Sequence, residues 1–384
     1  MLFRSENSAE YFPEKCAVTD EKVSYSYSEL VKLSSSVGTA LSELITSGDA
    51  VGIYMEKCAD AVAAFFATVY AGGFYSVLNT ELPQNRLQTT VSVLNPKVIV
   101  TSESLLETAK EYFSERKIVT FEDLAKSEPD YAKLGEIRSH KIDTDPLYIN
   151  FTSGSTGTPK GIVVCHRSVI DFIDHFTEIF GIDNNDVIAN QAPFDFDVSV
   201  KDIYSAVKTG ATLVVVPRRM FSAPAELIDF ICDRRITVMI WAVSALCLIS
   251  TFHALDYRTP ETVNKILFSG EVMPLKALKN FRSYLPNAKY VNLYGPTEIT
   301  CNCTYHILDN DCDYADGIPI GKPFPNEDVI LLDENNNRIS EVGKVGEICV
   351  RGTALALGYY SNPEQNAKAF VQDRKSTRLN SSHM

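Results

Sequence analysis

The stretch of this chain with the clearest capacity for chemistry is Phe151-Thr152-Ser153-Gly154-Ser155-Thr156-Gly157-Thr158-Pro159-Lys160-Gly161. It lies between two strand-like runs, residues 147–151 and 162–165. Small residues let a main chain approach an anion closely. Their amides and hydroxyls can donate to phosphate oxygens, and Lys160 adds a positive charge. A plain Ser/Gly linker is the competing reading, and the flanking apolar runs and the Pro-Lys-Gly ending speak against it. The loop is not of the Walker kind, which needs G-x-x-x-x-G-K-[ST] leading into a helix. Here Pro159 precedes the lysine, Gly161 follows it, and the next element reads as a strand.

A second segment, Asn292-Leu293-Tyr294-Gly295-Pro296-Thr297-Glu298, follows the strand-like residues 290–293. Open α/β sheets bind ligands at the carboxyl ends of their strands. Tyr294 offers a flat face for a base, Asn292 an amide donor and acceptor, Thr297 a hydroxyl for a phosphate, and Glu298 a carboxylate for Mg2+. Taken alone, the same residues would also make a Gly-Pro turn with a surface glutamate. The third segment is Phe194-Asp195-Phe196-Asp197-Val198-Ser199, at the mouth of an expected helix. A carboxylate there either pairs with a substrate ammonium group or caps the helix.

Those residues need elements to hold them. Residues 28–44 place Leu30, Leu33, Val37, Leu41 and Leu44 at helical spacing, and strand-like residues 51–54 follow. A helix ending near Gly72, a short strand over 74–78, a helix over 86–94 and a strand over 98–100 continue the rhythm. Alternation of this kind implies a largely parallel sheet covered by helices. The more polar stretch 122–146 reads as a connector. The rhythm resumes with strands at 213–216, 238–243, 265–268 and 290–293, and with helices opened by Pro224 and Pro274. Beyond about residue 316, short strands surround a polar hairpin at 333–337. The expected division is therefore a first α/β subdomain over 1–145, a second over 146–315 and a β-rich one over 316–373. A polar tail at 374–384 has the character of non-native sequence.

The whole chain has 384 residues and a net charge of −13. That acidic balance disfavours broad binding to nucleic acid or to an anionic membrane. The nine cysteines are scattered, an odd number that fits reduced thiols in the cytoplasm. Cys301-x-Cys303 with Cys312 lacks the paired spacing of a structural zinc site. The uncharged run 61–80 is interrupted by Gly72-Gly73 and reads as a buried helix and strand rather than a membrane span.

Together the three segments resemble the core motifs of the adenylate-forming (ANL) superfamily, specifically the amino-acid adenylation domains of nonribosomal peptide synthetases and the D-alanine–carrier-protein ligases. Weaker motifs fall in the family's order: Tyr27-Ser28-Glu29-Leu30, then Tyr70 to Tyr75, then Gly346 to Gly352 and Gly358-Tyr359-Tyr360. The resemblance implies an α/β fold of two mostly parallel β-sheets layered with helices, plus a smaller β-rich subdomain. It implies ATP-dependent activation of an amino-acid carboxylate, with Mg2+, and transfer of the acyl group to a phosphopantetheine thiol on a carrier protein.

Residue by residue, the resemblance implies a phosphate loop of Thr152, Ser153, Gly154, Ser155, Thr156, Gly157 and Lys160. Gly270, Glu271, Asn292, Tyr294 and Gly295 would form the adenine side. Thr297 would act at the α-phosphate and Glu298 would hold the metal. Asp197 would anchor the α-amino group beside Phe196. Val198, Lys201, Leu267, Ser269, Leu293, Cys301 and Asn302 would line the side-chain pocket, with Ile240-Trp241 as a further wall. Lys201 either points inward, which favours an acidic or hydrogen-bonding substrate side chain, or snorkels to solvent.

Two family features, a Thr-Gly-Asp segment and a C-terminal lid domain bearing a lysine, have no counterpart here. Losing groups aimed at developing charge costs on the order of 10²–10³ in rate each, so these 384 residues are expected to adenylate poorly. The alternatives are an acyl- or aryl-acid CoA ligase, and a non-catalytic fragment that binds nucleotide or carrier.

Overall fold

Apolar runs flanked by turn residues become strands, and the amphipathic stretches between them become the helices that cover those strands. A computed structural model describes residues 2–152, 159–373 and 376–381. The strands of its first third are β1 (Cys16–Thr19), β2 (Ser24–Ser26), β3 (Ala50–Tyr54), β4 (Phe74–Val77), β5 (Val98–Thr101) and β6 (Ile118–Thr120). The middle holds β7 (Pro146–Thr152), β8 (Lys160–Cys165), β9 (Val187–Asn190), β10 (Thr212–Val215), β11 (Val238–Ala242), β12 (Lys265–Ser269), β13 (Lys289–Tyr294) and β14 (Thr304–Ile307). The last part holds β15 (Lys322–Pro323), β16 (Glu327–Leu332), β17 (Arg338–Ile339), β18 (Glu347–Gly352), β19 (Gly358–Tyr359), β20 (Phe370–Asp373) and β21 (Ser376–Ser381).

They form three sheets. A nine-stranded sheet has the order β15-β14-β13-β12-β11-β9-β10-β1-β2, parallel from β13 through β1. A seven-stranded sheet, β19-β8-β7-β4-β3-β5-β6, is parallel from β7 to β6. A five-stranded antiparallel sheet, β17-β16-β18-β21-β20, completes the fold. Two mostly parallel sheets and a smaller β-rich one are what the residue pattern and the resemblance imply.

Sheet membership crosses the expected division at residue 145. β1 and β2, from the start of the chain, extend the nine-stranded sheet, and β7 and β8 join the seven-stranded one. The stretch 122–146 is more than a connector. It contains a nine-residue helix, Tyr131–Ser139, whose start is capped by the Asp130 carboxylate accepting from the Lys133 amide. The polar surface of that helix hid it, since only Leu134 is buried. Residues 376–381 form a strand of the small sheet, paired with β18 and β20.

The two large sheets are joined through a shared core. The helix Ala59–Tyr70 is buried along nearly its whole length, and Phe66 packs edge-on to Tyr204 of the helix Val198–Thr209. Tyr27 donates to the carbonyls of Ala206 and Ala211 at 2.7 and 2.6 Å. Lys57 reaches the carbonyls of Asn190, Gln191 and Val216, where β9 and β10 end. These links fix the 198–209 helix between the sheets, and it brings the substrate-side candidates with it.

Candidate functional site

β7 and β8 pair antiparallel with Thr152 opposite Lys160. Ser153, Gly154, Ser155, Thr156 and Gly157 lie outside the described residues, so the expected phosphate loop is represented by its two ends. The Lys160 ammonium donates to Gln365 Oε1 at 3.2 Å and stands 5.3 Å from the centre of the Tyr359 ring. The Tyr359 hydroxyl in turn donates to Glu298 Oε1 at 2.7 Å. One tyrosine thus touches both the lysine of the first segment and the glutamate of the second. The Gly-Tyr-Tyr motif signalled its presence, but its role as a bridge was not legible in the sequence.

The second segment occupies the carboxyl ends of neighbouring parallel strands β12 and β13. Gly270, just past β12, has φ +94°, and a Cβ there would meet nothing within 4 Å. The backbone therefore requires glycine while the space beside it is open. Glu271 is exposed, and Tyr294 is half-buried at the end of β13. Asn292 donates its side-chain amide to the Pro319 carbonyl at 2.9 Å. Gly295 is required for a different reason. A Cβ would lie 2.5 Å from the Asn302 Cα and 2.7 Å from the Cys303 nitrogen. Thr297 and Glu298 begin a short 3-10 turn. Thr300 and Cys301 then both adopt positive φ, 48° and 77°, which turns the chain so that Cys301 and Asn302 face the interior.

The third segment opens the 198–209 helix. Asp197 occupies its N-cap position, but its side chain makes no capping bond. Burial raises the Asp197 pKa, the nearby Lys201 ammonium and Thr297 hydroxyl oppose the rise, and Glu298 adds to it. Of the two aspartates, Asp195 is already engaged by Asn79 Nδ2 at 3.1 and 3.2 Å.

Lys201, one turn further along, does not snorkel. It is 0% exposed and donates to Asn302 Oδ1 at 2.8 Å and to Ser269 Oγ at 3.4 Å. Burial lowers its pKa, while Cys301, Asp197 and Asp202 act in the other direction.

The remaining side-chain candidates divide by the alternation of strands. Leu267 and Leu293 belong to the buried cluster shared with Val200 and Ile203 of the 198–209 helix. Cys301 is in the same cluster, and its thiol donates to the Asp197 carbonyl at 3.0 Å. Val198 is half-buried, and Phe196 is 56% exposed. Trp241 is not a wall of this region. It belongs to the core on the other face of the sheet, packing edge-on to Phe221 and donating to the Ala189 carbonyl. Only Ile240 of that pair faces the helix, because adjacent strand residues point to opposite faces.

Thr152, Phe196, Asp197 and Thr297 line one cavity of about 380 Å³, closed further by Asn150, Phe151, Leu78, Leu82 and Leu87. All three segments therefore meet the same space. A larger and more open cleft, about 920 Å³, lies beside the small sheet between Asn326, Arg351, Leu357 and Phe370 and contains none of the expected site residues. Among the described residues no cluster of three or more His, Cys, Asp or Glu is placed to hold a metal. That donor set still fits Mg2+, which needs only one or two carboxylates when phosphates and waters supply its other ligands. No helix among the described residues is long and apolar enough to cross a membrane.

Residues 5–360 match the family described as AMP-binding enzyme. The chain belongs to that family, within the adenylate-forming superfamily. It is 30% identical over 367 residues to the hybrid PKS-NRPS synthetase apdA of Emericella nidulans, covering 94% of this chain and 9% of that protein. It is 29% identical over 370 residues to the L-proline–[L-prolyl-carrier protein] ligase of Pseudomonas fluorescens, covering 94% and 74%. A solved structure of the nonribosomal peptide synthetase FmoA3, in its α-methyl-L-serine-AMP bound form, superposes with a TM-score of 0.88 at 25% identity, covering 98% of this chain and 42% of that one. The chain thus spans only part of these relatives.

Proposed function

We propose that this chain activates an amino-acid carboxylate with ATP and that the activated acyl group is passed to a carrier protein. In the first step a carboxylate oxygen of the amino acid attacks the α-phosphorus. The bond to the β-phosphate breaks, giving an aminoacyl-adenylate and pyrophosphate. In the second step the phosphopantetheine thiolate attacks the acyl carbon and AMP leaves. The relatives named for prolyl-carrier ligation and for peptide synthesis support this reading.

The roles follow from charge and position. Thr152, the loop after it and Lys160 would receive the β- and γ-phosphates. Gly270, Glu271, Asn292, Tyr294 and Gly295 would take the adenine, with Tyr294 stacking on the base. The Thr297 hydroxyl would donate to the α-phosphate, where charge changes during attack. Glu298, steadied by Tyr359, would hold Mg2+, which supplies neutralisation of the phosphate charge. Asp197 would pair with the α-ammonium, positioning the carboxylate for attack. The nine cysteines are all unpaired, which supports a reducing cytoplasm.

The observation that carries this reading is the shared cavity of Thr152, Thr297 and Asp197. The test is calorimetry with a sulfamoyl-adenosine analogue of an aminoacyl-adenylate, beside its des-amino counterpart. Asp197→Ala should weaken the aminoacyl analogue by about 10–100-fold, the size of a lost hydrogen bond to a charged group, and leave the des-amino analogue unchanged. Equal loss for both, or no binding of either, would refute the assignment. Equal binding of both by the unmodified chain would favour a ligase for simple acyl or aryl acids.

A further inference from the structure

Between β18 and β19 the chain runs through residues 353–357, which belong to no strand. This short strap ties the small sheet to both sides of the candidate nucleotide site. The Ala356 amide donates to the Glu298 carbonyl at 2.8 Å, and the Leu357 amide to the Val163 carbonyl of β8 at 2.8 Å. Just beyond, β19 pairs with β8, and the Tyr360 amide donates to the Gly161 carbonyl at 2.7 Å. Tyr359 is thereby delivered to the Glu298 carboxylate and to the Lys160 ammonium. The position of that bridge depends on the course of the strap.

The other end of the strap is gripped at one residue from two directions. The Ala354 carbonyl accepts from the Thr300 hydroxyl at 2.6 Å, and the Ala354 amide donates to Glu327 Oε1 at 2.8 Å. Thr300 stands two residues after Glu298, so the grip is close to the turn that carries the proposed metal carboxylate. Glu327 opens β16 and lies opposite Gly352 in the ladder with β18. Glycine at 352 leaves room for the carboxyl, because a Cβ there would collide with it. Asp171 of the helix His166–Phe180 is occupied separately, by Asn326 Nδ2 at 2.7 Å and by the Thr353 hydroxyl. Glu327 is therefore the carboxyl assigned to the strap's backbone. Burial pushes its pKa up to about 8, with the Ala354 amide opposing and Asp171 adding to the rise. Near neutral pH it acts chiefly as a neutral acid whose oxygen accepts one backbone bond. A segment outside any ladder keeps its course through such individual bonds, and losing one loosens it locally.

We infer that Glu327 is a positioning residue for the nucleotide site: by holding the Ala354 amide it fixes the strap that brings Tyr359 to Glu298, and so keeps Glu298 placed for its metal. Glu327 itself touches neither Glu298 nor Tyr359 among the described contacts. The inference rests on the proposed role of Glu298 at Mg2+ and adds a residue, distant in the chain, on which that role depends.

The test uses the full 384-residue chain and two readouts. The first is calorimetry with the non-hydrolysable β,γ-imido analogue of ATP, with and without Mg2+, beside adenosine. Glu327→Leu should reduce the affinity gained from Mg2+ by about tenfold, the scale of lost outer support for a metal ligand, and leave adenosine binding unchanged. Glu327→Gln, which keeps the shape and the accepting oxygen of a neutral acid, should retain the gain. Glu327→Leu combined with Tyr359→Phe should lose no more than the larger single loss, since both act on one link. The second readout is amide hydrogen exchange, in which residues 353–360 should lose protection in Glu327→Leu and keep it in Glu327→Gln. Thr300→Val, which removes the opposite bond to Ala354, should show the same losses and serves should the leucine variant fail to fold. An undiminished Mg2+ gain in Glu327→Leu, equal weakening of adenosine, or strictly additive losses in the double variant would overturn the inference while leaving the adenylation reading in place. If the unmodified chain binds the analogue with no gain from Mg2+, the metal role of Glu298 fails and this inference fails with it.

Discussion

At the ends of β12 and β13 the candidate nucleotide residues stand half in water. Glu271 is exposed, Tyr294 half-buried, and the space beside Gly270 open. The face of the 198–209 helix is the opposite kind of environment. Lys201, Ser269, Asn302 and Cys301 are buried, and burial shifts both Asp197 and Lys201 away from their ordinary ionisation. The difference teaches how one cleft can serve a common nucleotide and a particular acid. At the open rim, the backbone fixes the place and side chains work against competing water, so each contributes modestly. At the buried face, each charge acts at low dielectric and its partner matters greatly.

If the rim is set by backbone clearance, Gly295→Ala should disturb it most. The new methyl would press on the backbone of Asn302 and Cys303, costing about 1–3 kcal/mol as an overpacking change, measured by urea denaturation. An unchanged midpoint would mean that the rim yields freely and that its geometry does not depend on this close approach. A smaller effect is expected for Tyr359→Phe, which frees Glu298 without removing a ring. The apparent Mg2+ requirement in pyrophosphate exchange should rise by about tenfold, with the amino-acid KM unchanged. A change in the amino-acid KM alone would place Tyr359 with the buried face instead.

The smallest expected effect separates the two regions by pH. Because burial raises the Asp197 pKa, its carboxylate is lost at a higher pH than that of an exposed aspartate. Binding of an aminoacyl-adenylate analogue should therefore begin to weaken, as pH falls, above the range where an exposed aspartate takes up its proton, while binding of adenosine, which needs only the rim, stays level. Parallel titration curves by calorimetry would erase the distinction between the two regions.

Much of this was legible in the residue pattern. Alternating helix and strand periods gave the layered α/β class, and the helix expected to open at Pro224 does begin there. What the pattern withheld was partnership. The apolar run 147–151 reads as a strand but carries no mark of which sheet it will join, and β1 was not picked out from the residue pattern at all. The direction of Lys201 was equally hidden, because its long apolar stem suits either a buried or a snorkelling course. Only the positions of Ser269 and Asn302, 68 and 101 residues away, decide it. The side assignment of Trp241 needed the register of β11 against β12, where Ile240 lies opposite Leu267 and Trp241 opposite Phe268.

The sharing of strands between distant parts of the chain also governs how the molecule can be made. Val18 pairs with Leu213 and Gly358 with Val163, so neither large sheet can close from a contiguous piece. During synthesis, β1 and β2 emerge early and must wait for β10 before their edge is covered. Such long-range pairing slows folding and leaves unpaired strand edges for longer. A chain severed at residue 145 would give two fragments, each missing strands held by the other.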